Sequence, residues 1–181
     1  AICSIPMDMA IMRGQGIRLL SFIAKKCGEK ETLMPVVEKP LRDIGYEGAI
    51  CLEPKRNLYI ENPVACVDYG SLYPSCMISE NLSHDSKVWT KEYDMQGNLI
   101  AETGATTYDN LPDYEYVDIQ YDTYKWMRHR VGGREIKTKV GTKICRFAQY
   151  PDDKKAVMPS ILVDLLSARK ATRILIKYKT I

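Results

Sequence analysis

The stretch CVDYGSLYPSCM, residues 66–77, decides how the rest of the chain is read. The apolar residues Val64, Ala65, Cys66 and Val67 run up to Asp68 like a short buried strand. Gly70 and Ser71 suit a tight turn, and Leu72 onward can open a helix if Pro74 falls in its first turn. A carboxylate at a strand's end, beside a turn rich in backbone N–H groups, can hold a metal ion and a phosphate together. The plainer alternative is a strand cap with an Asx-turn.

Composition sets wide bounds. The 181 residues suffice for one domain or two small ones, and 45% hydrophobic with 27% charged residues is an ordinary soluble, globular balance. No apolar run is long enough to span a membrane, so no membrane partner is expected. The start, AICSIPMDMAIMRGQG, lacks a basic leader and an initiator Met, and suggests a segment of a longer chain. Six cysteines (Cys3, Cys27, Cys51, Cys66, Cys76 and Cys145) are scattered without a C-x-x-C pair. They predict buried, reduced thiols and no zinc site. His84 and His129 lie far apart with no nucleophile elbow, which argues against acyl transfer.

Charge is unevenly spread. Residues 1–120 carry 11 Lys+Arg and 18 Asp+Glu, whereas residues 121–181 carry 15 and 5. So basic a final third points to a polyanionic partner, or to a solvated basic face.

Outward from the opening stretch, residues 7–27 predict one helix or two short ones, broken by Gly14 and Gly16. The runs AICL and ACVD within residues 48–69 predict two strands, and residues 72–82 a helix. Residues 86–150 are expected to be mainly β: KVWTKEYD and NLIAE as a hairpin around MQG, an aromatic strand over 114–129, and a further hairpin in VGGREIKTKVGTKICRFAQY. PDDKK, 151–155, suits a surface turn. From Pro159 a long helix follows, with an apolar stripe of Ile161, Leu162, Leu165, Leu166 and Ile176. Arg169 falls within the arc of that stripe and Arg173 lies one turn further along the same face, with Lys170 and Lys177 flanking them. A guanidinium there either snorkels over apolar surface or is held for a buried anion.

DYGSLYPS resembles motif A of family B DNA polymerases, D-x-x-S-L-Y-P-S, at every specified position. YEGA, 46–49, resembles the family's Y-x-G-[GA] segment between exonuclease and polymerase regions, and PSILVDLLSARKATR its first fingers helix. The resemblance covers most of the chain, residues 84–150 being the least diagnostic. It is strongest toward polymerases of large double-stranded DNA viruses such as those of algae. Motifs B and C and the exonuclease D-I-E signature are absent from these residues.

The resemblance implies an α+β fold. Residues 1–45 would be the connection from the exonuclease region, 46–155 a partial palm with motif A, and 156–181 the start of the fingers helix. The implied activity is that of a DNA-directed DNA polymerase, a nucleotidyltransferase adding deoxynucleotides to a primer 3′ end in viral DNA replication. By the resemblance, Asp68 and the backbone carbonyl of Tyr69 would bind magnesium, one of two ions. Ser71 and Leu72 would receive the triphosphate through backbone N–H groups, and Tyr73 would lie under the sugar and exclude a 2′-hydroxyl. Arg169 and Arg173 would bind the triphosphate; the family's usual Lys at the second position is here Arg173. Tyr46 and Gly48 would meet the template strand.

The partners implied are primer-template DNA, deoxynucleoside triphosphates and a sliding clamp reached through the full-length protein. The location implied is intracellular, in the host nucleus or a cytoplasmic replication site. With the second metal carboxylate in motif C, the segment by itself is expected to be inactive. Two readings stand beside this one: a non-catalytic nucleic-acid-binding module built on the basic final third and twelve tyrosines, and a polymerase fold without activity. Tyr73 as a packed aromatic and 46–49 as a simple turn are the plain alternatives for those sites.

Overall fold

The computed structural model describes residues 5–34, 36, 51–128, 130 and 132–179, the side chains of 177 and 179 apart. The predicted YEGA segment, with Tyr46 and Gly48, lies outside the described residues, as do Cys3 and His129.

The chain is α+β, as expected. Four helices and four strands appear among the described residues: α1 (Met7–Met12), α2 (Gln15–Glu29), α3 (Leu72–Ser79), β1 (Lys87–Tyr93), β2 (Leu99–Gly104), β3 (Glu115–Arg128), β4 (Glu135–Gln149) and α4 (Val157–Lys179). The N-terminal helical stretch divides at Gly14, the α2 N-cap, where extended backbone replaces helical. The strands form one antiparallel sheet in the order β2-β1-β4-β3.

The β1–β2 hairpin turns where MQG predicted it. Asp94 organises the turn: its carboxylate accepts N–H bonds from Gln96 and Asn98, each at 2.8 Å, and Gly97 takes φ +86°. The expectation for 131–150 needs correction. Residues 135–149 of it form a single strand, β4, and its hairpin partner is β3. Gly141, which suggests a turn in the sequence, instead sits under β1. A Cβ there would lie 2.1 Å from the Tyr93 carbonyl oxygen, so only glycine lets the two backbones approach.

The strand predicted at 64–67 is also absent: residues 51–69 contain no strand and lie exposed. A strand persists only when a neighbour takes up its backbone groups, and no described residue pairs with this one. The cysteine expectation holds in part. The five described cysteines are free; Cys27 and Cys145 are buried, but Cys51, Cys66 and Cys76 are exposed. Two of the exposed three belong to the unpaired stretch.

Two apolar clusters hold the frame. Cys27, Val157 and Ile161 join α2 to the base of α4, with Phe22, Ile23, Met158 and Leu165 around them. Val88, Trp89 and Ala148 form the second, within the sheet. The predicted stripe of α4 therefore packs only along its first half. Beyond Leu166 the helix emerges, and Ile176 is 59% exposed.

Candidate functional site

The motif A residues gather at the head of α3. Ser71 is the N-cap residue and adopts the left-handed conformation, φ 55° and ψ 51°, with no side-chain cap bond to the helix. A non-glycine residue held there stores strain of about 1–3 kcal/mol, which a turn tolerates when its shape is needed. The Ser75 hydroxyl donates to the Gly70 carbonyl at 3.2 Å, and the Ser75 N–H to the Ser71 carbonyl at 2.9 Å, closing the turn. Pro74 falls in the first turn, where a missing N–H costs nothing. The backbone N–H groups of Leu72 and Tyr73 head the helix and have no carbonyl one turn back. Asp68 and Tyr69 precede this turn and are exposed. Tyr73 is 80% exposed, so it does not pack as a core aromatic.

Arg169 and Arg173 lie on the emergent half of α4. They are exposed and line one shallow depression with Leu166, Lys170, Ile174 and Ile176. α3 packs on α4, so the motif A helix and the basic helix are direct neighbours. The residues around Asp68 do not share the arginines' depression. Among the described residues no three metal-ligating side chains meet. PDDKK forms the expected surface turn: Asp152 and Asp153 pair with Lys154 and Lys155 at 3.6 and 3.4 Å. A more apolar cavity of about 590 Å³ lies under the sheet, lined by Ile23, Met77, Phe147 and Met158 among others. It holds none of the described residues predicted to bind metal or nucleotide.

A joint between the two helices escaped the sequence reading. Residues 81–86, NLSHDS, follow α3 directly, and their side chains cap α4 from outside it. Asn81 is 1% exposed. Its side-chain oxygen accepts from the Ala156 N–H at 2.8 Å, and its side-chain N–H donates to the Ala148 carbonyl at 3.0 Å. The next two amides of α4 are met in the same way: Val157 donates to Asp85 at 3.0 Å and Met158 to the Ser83 hydroxyl at 3.2 Å. Ser86 donates to the Asn81 carbonyl at 2.5 Å, Gln149 donates to the Glu80 carbonyl at 2.8 Å, and the Tyr150 hydroxyl donates to the Asp85 carbonyl at 2.9 Å. Burial, then the Asp85 charge, push the Tyr150 phenol up to about 12, so it remains a neutral donor. The end of α3, the end of β4 and the start of α4 thus meet on one side chain. The sequence signal was present, four capping-type residues in six, but their partners lie 67 and 75 residues away.

The chain belongs to DNA polymerase family B, whose profile matches residues 5–180. It is 62% identical to the DNA polymerase of Phaeocystis pouchetii virus over 95% of this chain and 17% of that protein. It is 43% identical to the DNA polymerase of Pyramimonas orientalis virus, over 99% of this chain and 13% of that protein. Similarity extends to a DNA polymerase delta catalytic subunit of Plasmodium falciparum, 30% identical over 95% of this chain and 12% of that one. The chain thus spans less than a fifth of the length of these relatives. No solved structure matches it.

Proposed function

We propose that this chain is the motif A and fingers-base segment of a viral DNA polymerase that extends a primer on a DNA template. The observation that carries the reading is the strained turn at Ser71, with Asp68 just before it, heading a helix that packs on the one bearing Arg169 and Arg173. In this reading residues 1–45 lead in from the exonuclease region, 46–155 contribute to the palm, and 156–181 begin the fingers.

Asp68 and the Tyr69 carbonyl offer too few oxygens to enclose a cation. They do suit one side of a magnesium site, since that ion is commonly held by one or two carboxylates with substrate phosphates and water. Magnesium, when bound, would neutralise charge on the transferring phosphoryl group and lower the pKa of the primer hydroxyl. The chain's own residues do the positioning. The Leu72 and Tyr73 amides, at a helix N-terminus, suit phosphate oxygens. Arg169 and Arg173 offer planar donor forks to the same triphosphate. Tyr73, exposed and followed by a proline that restricts its backbone, can stand as a wall at the sugar 2′ position.

The test is Asp68→Asn in the full-length polymerase, assayed by primer extension with magnesium. Extension should fall by about 10²–10³, the usual loss when a preorganised charge is removed from a transition state. Primer-template affinity should be nearly unchanged, because it rests on Lys and Arg contacts to phosphates. A variant retaining more than about a tenth of the wild-type rate removes Asp68 from the metal site.

A further inference from the structure

Past Thr142 the sheet narrows. β1 ends its pairing with β4 at Tyr93–Thr142, whereas β3 and β4 stay paired out to Arg128–Glu135. Residues 124–128 and 135–139 therefore extend as a two-stranded ribbon, roughly 17 Å long at the rise of an antiparallel strand. A ribbon of this kind is marginal on its own and is stabilised through cross-strand pairs. Here Lys137 lies 4.7 Å from the Tyr124 ring, Lys139 pairs with Asp122 at 2.7 Å, and Arg128 meets Glu135 at 3.5 Å.

The ribbon's two faces differ. Directly paired residues share a face, so Tyr124, Trp126 and Arg128 stand with Lys139, Lys137 and Glu135. The other face carries Lys125 and Met127 with Thr138 and Ile136. Trp126 is 57% exposed. Across residues 124–139 there are six Lys and Arg against the single acid Glu135. Aromatic rings interleaved with cations suit a strand that offers both flat bases and phosphates. An apolar protein neighbour would be poorly matched to so much like charge. A duplex would meet the charges but hides its base faces, leaving Trp126 nothing to stack on.

We propose that the ribbon of residues 124–128 and 135–139 binds single-stranded DNA, with Trp126 stacking on a base and Arg130 and Arg134, between its two strands in sequence, holding phosphates. That the strand is unpaired template rests on the polymerase reading above; the single-stranded specificity rests on the ribbon alone.

The experiment compares fluorescein-labelled primer-templates, one blunt and one with a long oligo-dT template overhang, by anisotropy with the full-length polymerase. Trp126→Ala should weaken binding to the overhang substrate about tenfold, within the range for loss of one stacked base, and leave the blunt substrate within about twofold. Trp126→Phe should restore most of the difference. Arg130→Glu with Arg134→Glu should lower overhang affinity and flatten its salt dependence. Equal weakening on both substrates, Phe as poor as Ala, or no change in either variant overturns the proposal, the last marking a ribbon covered by protein. A wild-type enzyme that fails to extend primers overturns the polymerase reading instead, and the overhang-dependent binding difference remains readable without catalysis.

Discussion

Residues 51–71 and residues 80–158 differ in almost every physical respect. The first stretch includes the most recognisable motif in the chain, yet it forms no strand, lies exposed, and ends in a turn held by two local hydrogen bonds. The second contains the least recognisable sequence and carries the sheet, the whole of the sheet's apolar cluster, the Val157 and Met158 part of the other, and the joint around Asn81. Residues that handle a substrate must face it, so they cannot also fill a core, and their pattern is set by chemistry. Residues that build a frame are constrained by volume and hydrogen-bond pairing, which many sequences satisfy. Substitutions should therefore divide cleanly: activity without stability on one side, stability first on the other.

The largest effect expected from α4 comes from its emergent half. Arg169→Ala with Arg173→Ala in the full-length polymerase should lower kcat/KM for the incoming nucleotide by about 10²–10³, taking about 1.5–3 kcal/mol for each charge-assisted contact and some loss of additivity. Both side chains are exposed, so the melting temperature should not move. Early melting with normal incorporation would show that the arginine stems cover apolar surface, and the division between the two regions would fail on α4.

Asn81 tests the other side. Asn81→Ala removes the acceptor for the Ala156 N–H and the donor to Ala148, and places alanine at φ 50°. Buried groups left unpaired cost about 1–3 kcal/mol each, and a left-handed alanine adds about 1–2. Asn81→Gly loses the same bonds without the backbone strain, so it should be the milder variant. The measurement is amide hydrogen exchange over residues 154–160 of the full-length protein. Protection at Ala156, Val157 and Met158 should drop more in the alanine variant than in glycine. Unaltered protection in both would mean that the joint does not anchor α4.

The same division explains what could be read beforehand. Local rules found α2, α3, α4, the β1–β2 hairpin and the aromatic β3, because periodicity and turn residues specify them within a few positions. They failed at Gly141, where glycine answers to a carbonyl on another strand, and at Asn81, whose partners are distant in sequence. Residues 64–67 show the reverse failure: apolar, β-branched residues supply the propensity, but a strand also needs a neighbour, and none is present among the described residues. Within the candidate site, Asp68, Ser71, Tyr73 and the two arginines were legible as a motif. The αL turn at Ser71 and the packing of α3 on α4 were not.

The smallest effect concerns the row of the sheet that runs through Arg146. Trp89, Arg146 and Asp118 stand in one row across β1, β4 and β3. Arg146 donates to Asp118 at 2.6 and 2.5 Å and to Asp109 at 2.9 Å, and lies 4.8 Å from the Trp89 ring, whose N–H also donates to Asp109 at 2.9 Å. These bonds from Arg146 hold both carboxyls below the ordinary aspartate range, against a smaller opposing effect of burial. A carboxyl whose folded pKa is lowered stabilises the fold fully above its unfolded value. That contribution is lost as pH falls through the unfolded value toward the lower folded one, so these two carboxyls make the frame weaken on acidification. Because Asp118 is 41% exposed, the effect after solvent screening is on the order of 1 kcal/mol. The urea midpoint of the chain, followed downward from neutral pH, should fall below the ordinary aspartate range. Arg146→Met should start lower and show a shallower acid limb, since it removes the partner that depresses both carboxyls. An acid limb of undiminished slope in that variant would place the sensitivity in carboxyls outside this row.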